Sequence, residues 1–147
     1  MPILTQAQAT KTAALTFTPA LAALASGAYA VSATIDQTAT IPLDQTIEAE
    51  LVPNGAPTGN KQMIIFAETS LDGTNWTGPA TRATADDGQE NFIGSVPSSV
   101  TAVRASKSFS YAGQPVSRYF RLVVKNDLGV ALTSAAVYLG AITGVST

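Results

Sequence analysis

At 147 residues the chain suits one domain. A compact chain of this length buries roughly 70% of its unfolded surface, so it needs no disulfide or metal to stay folded. It has no Cys and no His, which excludes disulfides, thiol nucleophiles, the common zinc sites and any His-based triad. Charged residues make up 12% of the chain, against a usual value of about 25%. A formal charge of −2 with eight scattered Lys and Arg argues against a nucleic-acid partner. The exterior must be built largely from Ala, Thr, Ser and Gly, which suits a protein that lies against another protein.

Residues 1–11 are polar apart from Ile3 and Leu4 and read as an N-terminal arm or an edge segment, ahead of a single β-sandwich domain over 12–147. Thr12–Phe17 carries β-branched and aromatic residues and predicts a first strand, stopped by Pro19. Ala20–Ala25 predicts one helical turn, because Ala and Leu favour helix, with Ser26-Gly27 as its stop. The whole run from Thr12 to Ile35 is uncharged and has the outline of a secretory signal. Pro19, Gly27 and the interspersed Thr and Ser make it a poor membrane span, so soluble structure and no membrane partner are expected.

Ala28–Asp36 alternates, with Tyr29, Val31, Ala33 and Ile35 on one face and Ala28, Ala30, Ser32 and Thr34 on a mild opposite face. Gln45–Val52 repeats the pattern, with Ile47, Ala49 and Leu51 inward and Glu48 and Glu50 outward. Pro53–Asn60 holds two Pro and two Gly and predicts a loop. Lys61–Gly78 is the strongest stretch: a strand over Gln62–Thr69 near the middle of a sheet, an Asp72-Gly73 reversal, and Trp76 placed to lie over that sheet. Gly78–Glu90 predicts an exposed loop. Asn91–Val96 and Thr101–Phe109 predict short strands. Val116–Lys125 is a second strong strand, with Phe120, Leu122 and Val124 on one side. Thr133–Ile142 closes the domain with Ala135, Val137, Leu139 and Ala141 on one face. About eight antiparallel strands without a helical pattern predict an all-β fold, a two-sheet sandwich of jelly-roll type.

No catalytic, cofactor-binding or metal-binding residues are expected, and no cofactor. Glu48 and Glu50 share a strand face, as paired acid/base carboxylates would, but their apolar alternation fits a solvated outer face. Asp86, Asp87 and Glu90 sit in one loop without EF-hand spacing. The lysines Lys11, Lys61, Lys107 and Lys125 fall in segments expected to be wet, which gives no lysine base. Neither GxxxxGK[ST] nor GxGxxG occurs. Trp76, Tyr111, Tyr119 and Tyr138 are candidates for a sugar-stacking platform.

Three stretches together carry a resemblance: LASGAYAVSATID over Leu24–Asp36, TSLDGTNW over Thr69–Trp76, and the YFRLVVKN strand from Tyr119 followed by a short turn and an Ala-rich last strand. Over roughly Ala20–Ile142 the chain resembles the capsid decoration, or cement, proteins of tailed bacteriophages. That resemblance implies a jelly-roll structural virion protein, not an enzyme, made in the bacterial cytoplasm and placed on the outer capsid surface. Its implied partners are the phage major capsid protein and further copies of itself, as a dimer or trimer. The small-residue faces around Ala28–Thr34 and Ala131–Ala141 are candidate contact surfaces. The alternative is a phage tail, fibre or adhesin-type module binding glycans through Trp76 and the tyrosines.

Overall fold

The structure is a computed structural model that describes residues 4–37, 44–78, 92–110 and 117–146. Among them are ten strands and no helix: β1 (Leu4–Lys11), β2 (Phe17–Thr18), β3 (Tyr29–Ser32), β4 (Ile35–Asp36), β5 (Asp44–Pro53), β6 (Gln62–Ser70), β7 (Phe92–Pro97), β8 (Ala105–Ser110), β9 (Tyr119–Asp127) and β10 (Leu132–Ser146). They form two antiparallel sheets. One has the order β1-β10-β5-β8; the other has the order β2-β3-β9-β6-β7, with β4 also on β9.

Setting aside the two-residue strands β2 and β4, the ladders join β1 to β10, β3 to β9, β5 to β8 and β6 to β7. The first principal strand thus pairs with the last, the second with the second-last, and so inward. That is one long antiparallel ribbon wound into two layers, the jelly-roll topology.

Alternation explains which residues meet between the layers. Ile47, Ala49 and Leu51 of β5 and Val137 and Leu139 of β10 face Met63, Ile65 and Ala67 of β6 and Leu122 and Val124 of β9. Each large aliphatic side chain buried here contributes about 1.5–3 kcal/mol relative to exposure. β6 is buried on its outer side as well: Phe66 and Glu68, like Val123 of β9, are almost inaccessible. Phe66 meets Phe92 edge-on, with centroids 6.3 Å apart and planes at 69°.

Several expectations change. The segment over residues 1–11 contains edge strand β1, running antiparallel along the far half of β10. The first strand expected at Thr12–Phe17 is absent except for Phe17–Thr18. The Thr12 hydroxyl takes the Leu139 N–H at 3.0 Å, and the chain then follows β10 out of register, with Leu15 N–H on the Val137 carbonyl at 2.8 Å. The helical turn expected at Ala20–Ala25 is a non-helical turn, in which Ala23 is left-handed and donates to the Leu132 carbonyl at 3.0 Å.

Ala28–Asp36 is not one strand. The Ser32 hydroxyl accepts the Leu122 N–H at 2.9 Å in place of a backbone carbonyl, and the Ala33 N–H turns instead to the Thr16 carbonyl. Register along β9 goes from Val31 opposite Val123 to Ile35 opposite Phe120, which leaves one extra residue in the β3–β4 stretch. Ala30 and Ser32, ahead of the bulge, are buried while Tyr29 and Val31 lie on the outer side, and the extra residue then brings Ile35 to the core side too. The strand expected from Thr101 begins only at Ala105, after a turn through Ala102. The loop expected at Gly78–Glu90, beyond Gly78, lies outside the described residues.

Candidate functional site

β6 ends in a loop that closes on itself. The Thr77 N–H donates to the Thr69 carbonyl at 3.0 Å, and the Thr69 N–H donates to the Thr77 hydroxyl at 3.1 Å. Inside the loop, Asp72 Oδ1 accepts from the Thr74 and Asn75 N–H groups, both at 2.8 Å, and from the Ser70 hydroxyl at 2.9 Å. Asp72 Oδ2 accepts from Asn75 Nδ2 at 2.7 Å. These donors, the Asn75 N–H first and the Thr74 N–H next, hold the Asp72 carboxyl well below the usual carboxylate range. Gly73 is left-handed, and a Cβ there would sit 3.5 Å from the Tyr119 ring. The Asp72-Gly73 turn is therefore a preformed Asx-type loop whose acid is fully engaged.

That loop carries Trp76 back over the sheet, as the sequence predicts. The Arg121 guanidinium lies 4.2 Å from the indole centroid, while its Nε donates to Glu68 Oε2 at 2.7 Å. Glu68 and Arg121 are directly opposite on β6 and β9. The Glu68 side chain is 2% exposed and that of Arg121 25%. A Cβ on Gly78 would collide with the Glu68 carboxylate, so the chain leaving the loop needs glycine there. Between Trp76, Asn75, Leu71 and Ser117 lies an open groove of about 340 Å³.

The second constellation is on the outer face of the β1-β10-β5-β8 sheet. Lys11 Nζ donates to Glu48 Oε1 at 2.8 Å and lies 3.8 Å from the Tyr138 ring centroid. The Tyr138 hydroxyl donates to Glu50 Oε1 at 3.2 Å, and Arg104 Nε donates to Glu50 Oε2 at 2.8 Å. Hydrogen bonding to Arg104 pulls the Glu50 carboxyl below its ordinary range, and hydrogen bonding to Glu48 raises Lys11. Both shifts are opposite to what a general acid and a lysine base require. The four charges are spent on one another, and Ala136, Gly140, Ser106 and Ser108 complete a low-relief face around them.

The structure does not gather the predicted aromatic platform into one site. Trp76 and Tyr119 belong to the outer side of the β6–β9 sheet, and Tyr138 lies on the outer face of the other sheet. Tyr111 and the acids Asp86, Asp87 and Glu90 lie outside the described residues. Among the described residues no three acidic side chains converge in a way that would hold a metal ion. No helix among them is long and apolar enough to cross a membrane. Of the two candidate contact faces, the one at Ala28–Thr34 is largely unavailable because Ala30 and Ser32 point into the core. The outward side of Ala131–Ala141, with Ala136, Tyr138 and Gly140, is on the surface. The Glu68–Arg121 pair escapes sequence reading, since its members lie 53 residues apart and meet only through strand register.

No family model matches this chain, and no curated protein matches it.

Proposed function

We propose that this protein is a non-catalytic structural virion protein that binds the outer surface of a tailed-phage capsid and strengthens contacts between major capsid protein subunits. The observation that carries the reading is the outer face of the β1-β10-β5-β8 sheet. It presents small side chains around four charges that already satisfy one another. Docking such a face strands no lone charge, and stranding one is the main cost of burying polar surface at an interface. The jelly-roll body supports the same reading, as this architecture recurs in viral coats. So does the resemblance of Leu24–Asp36 and Thr69–Trp76 to decoration proteins. Many copies on one shell would act together even if each contact were weak.

The test is to add purified protein to capsids lacking it and to image them. Extra density at fixed lattice positions, abolished by Ala136→Lys, is expected. Capsids that remain bare would refute the reading. A second reading is favoured by one observation, the Trp76 groove with its 84% exposed neighbour Leu71. There the indole would stack on a sugar ring in a glycan-binding module of tail or fibre type. Specific glycan-array binding lost in Trp76→Ala would favour it over capsid decoration.

A further inference from the structure

Four loops meet at one end of the sandwich, residues 19–28, 53–61, 97–104 and 128–131, and backbone hydrogen bonds join them. The Ala102 N–H donates to the Pro53 carbonyl at 3.3 Å, the Asn54 N–H to the Ala131 carbonyl at 2.9 Å, and the Thr58 N–H to the Leu128 carbonyl at 2.7 Å. Within this loop end the chain is thus pinned at Pro53 and Asn54 and again at Thr58. Between those points no backbone hydrogen bond holds Gly55 or Ala56 among the described residues, and Pro57 has no N–H to give. Asn54 is exposed, and its side-chain amide has no partner among the described residues.

An asparagine followed by glycine is a reactive pair. The backbone nitrogen of the glycine can attack the side-chain carbonyl carbon of the asparagine and close a ring, because no Cβ blocks the approach. The other described asparagines are restrained. Asn60 Nδ2 donates to Asp127 Oδ2 at 2.6 Å, and the N–H of the next residue, Lys61, donates to the Thr58 carbonyl at 3.3 Å. Asn75 Nδ2 is bound to Asp72 and is followed by the bulky Trp76. Asn126 is buried, with its amide engaged at both ends. Asp72-Gly73 is a pair of the same kind, but there the Gly73 N–H donates to the Ser70 hydroxyl at 2.9 Å. The Asp72 carboxyl is also held ionised by its donors, which makes its carbon a poor target. Gly55 has no such lock, and neither backbone nor packing demands glycine there. Its φ is not left-handed, and a Cβ would lie 3.5 Å from Val130 Cγ1, an ordinary contact.

We propose that Asn54 is a site of spontaneous covalent modification, converted from amide to acid with water as the only co-reactant. The Gly55 nitrogen gives its proton to solvent and bonds to Asn54 Cγ. The Cγ–Nδ2 bond breaks, and Nδ2 takes up a proton and leaves as ammonia. The resulting cyclic imide then adds one water. Breaking its new Cγ–N bond gives aspartate; breaking the bond from that nitrogen to the Asn54 backbone carbonyl carbon gives isoaspartate. Nothing is oxidised or reduced. Either product adds one negative charge to a chain whose formal charge is −2. Isoaspartate also lengthens the main chain by one carbon, in the stretch between the pinned points that no backbone bond holds. The sandwich therefore keeps its fold.

Incubation of the full chain in mildly alkaline buffer, with peptide mapping by mass spectrometry over time, tests the proposal. Asn54 is expected to be the first asparagine to show the mass gain of amide-to-acid exchange. Its rate is expected to lie within about tenfold of that in a free peptide of residues 51–60, a barrier difference of at most ~1.4 kcal/mol. Gly55→Ala, with its fold checked by circular dichroism, is expected to slow the conversion at least about tenfold. Isomerisation at Asp72-Gly73 is expected to run at least about tenfold slower in the folded chain than in its own free peptide, since several hydrogen bonds must first break. An Asn54 that stays intact while its free peptide converts would overturn the proposal. So would faster conversion at any other asparagine, a rate indifferent to Gly55→Ala, or an Asp72 pair as reactive in the fold as in its peptide.

Discussion

Asn126 offers the sharpest test of how the loop end is held. It is completely buried at the end of β9. Its Nδ2 donates to the Leu24 and Val130 carbonyls, both at 2.8 Å, and its Oδ1 accepts the Leu128 N–H at 3.1 Å. One amide thus ties the turn after β9 to the loop before β3. In Asn126→Ala the Leu24 carbonyl keeps the Leu132 N–H, so that loss is the ordinary net value of about 1 kcal/mol. The Val130 carbonyl loses a partner of similar worth, and Leu128, itself inaccessible, is left with a buried N–H that costs about 1–2 kcal/mol. The sum is about 3–4 kcal/mol, or roughly 10 °C in Tm for a domain of this size. Asn126→Asp should be worse, because it puts a carboxylate against two carbonyl oxygens. Urea unfolding followed by circular dichroism, with calorimetry alongside, measures both. A loss under about 1 kcal/mol in Asn126→Ala would refute the reasoning.

Two further outcomes follow from the loop after β6. Arg121→Met should cost about 2–4 kcal/mol by leaving the buried Glu68 without its cation, and Glu68→Leu/Arg121→Met should recover most of that. Trp76 is the single Trp, so its emission should shift when Arg121 goes; an unshifted spectrum and an unchanged melt would sink the account. Asp72 is depressed in the folded state, so its contribution is complete above its ordinary value of 3.8 and fades as pH falls below it. The stability gap between wild type and Asp72→Ala should therefore be widest near neutrality and narrow in acid. A gap that is constant across that range would count against the four-donor description.

The legible parts of this fold were those in which side chains alternate strongly. Ile47-Ala49-Leu51, Met63-Ile65-Ala67 and Phe120-Leu122-Val124 each carry their burial in their spacing, and the sandwich follows from them. β1 was legible only as an arm or an edge segment, because LTQAQATK has no apolar stripe; its strand character comes from the ladder to β10. The face of β3 reads the wrong way from sequence because its smaller side chains, Ala30 and Ser32, take the core side, and the slip at Ser32 then returns Ile35 to that same side. Nothing in local composition marks that Ser apart from its neighbours. At the candidate site, the Asp-Gly turn foretold where Trp76 would go. What lies beneath it depends on Arg121 falling opposite Glu68, and that is a property of pairing between distant strands. Tyr138 looked like a companion of Trp76 only because sequence does not say which sheet a strand joins.

The winding also has a consequence for how the protein is made. β9 sits between β3 and β6, and β10 sits between β1 and β5, so each sheet has a late strand at its heart. A ribosome would have to deliver β9 before one layer could close and β10 before the other could. Such a long-range topology makes for slow folding after synthesis. The nascent protein would meanwhile expose its greasiest stretches, Met63–Ala67 among them, and would need sheltering until β9 and β10 emerge.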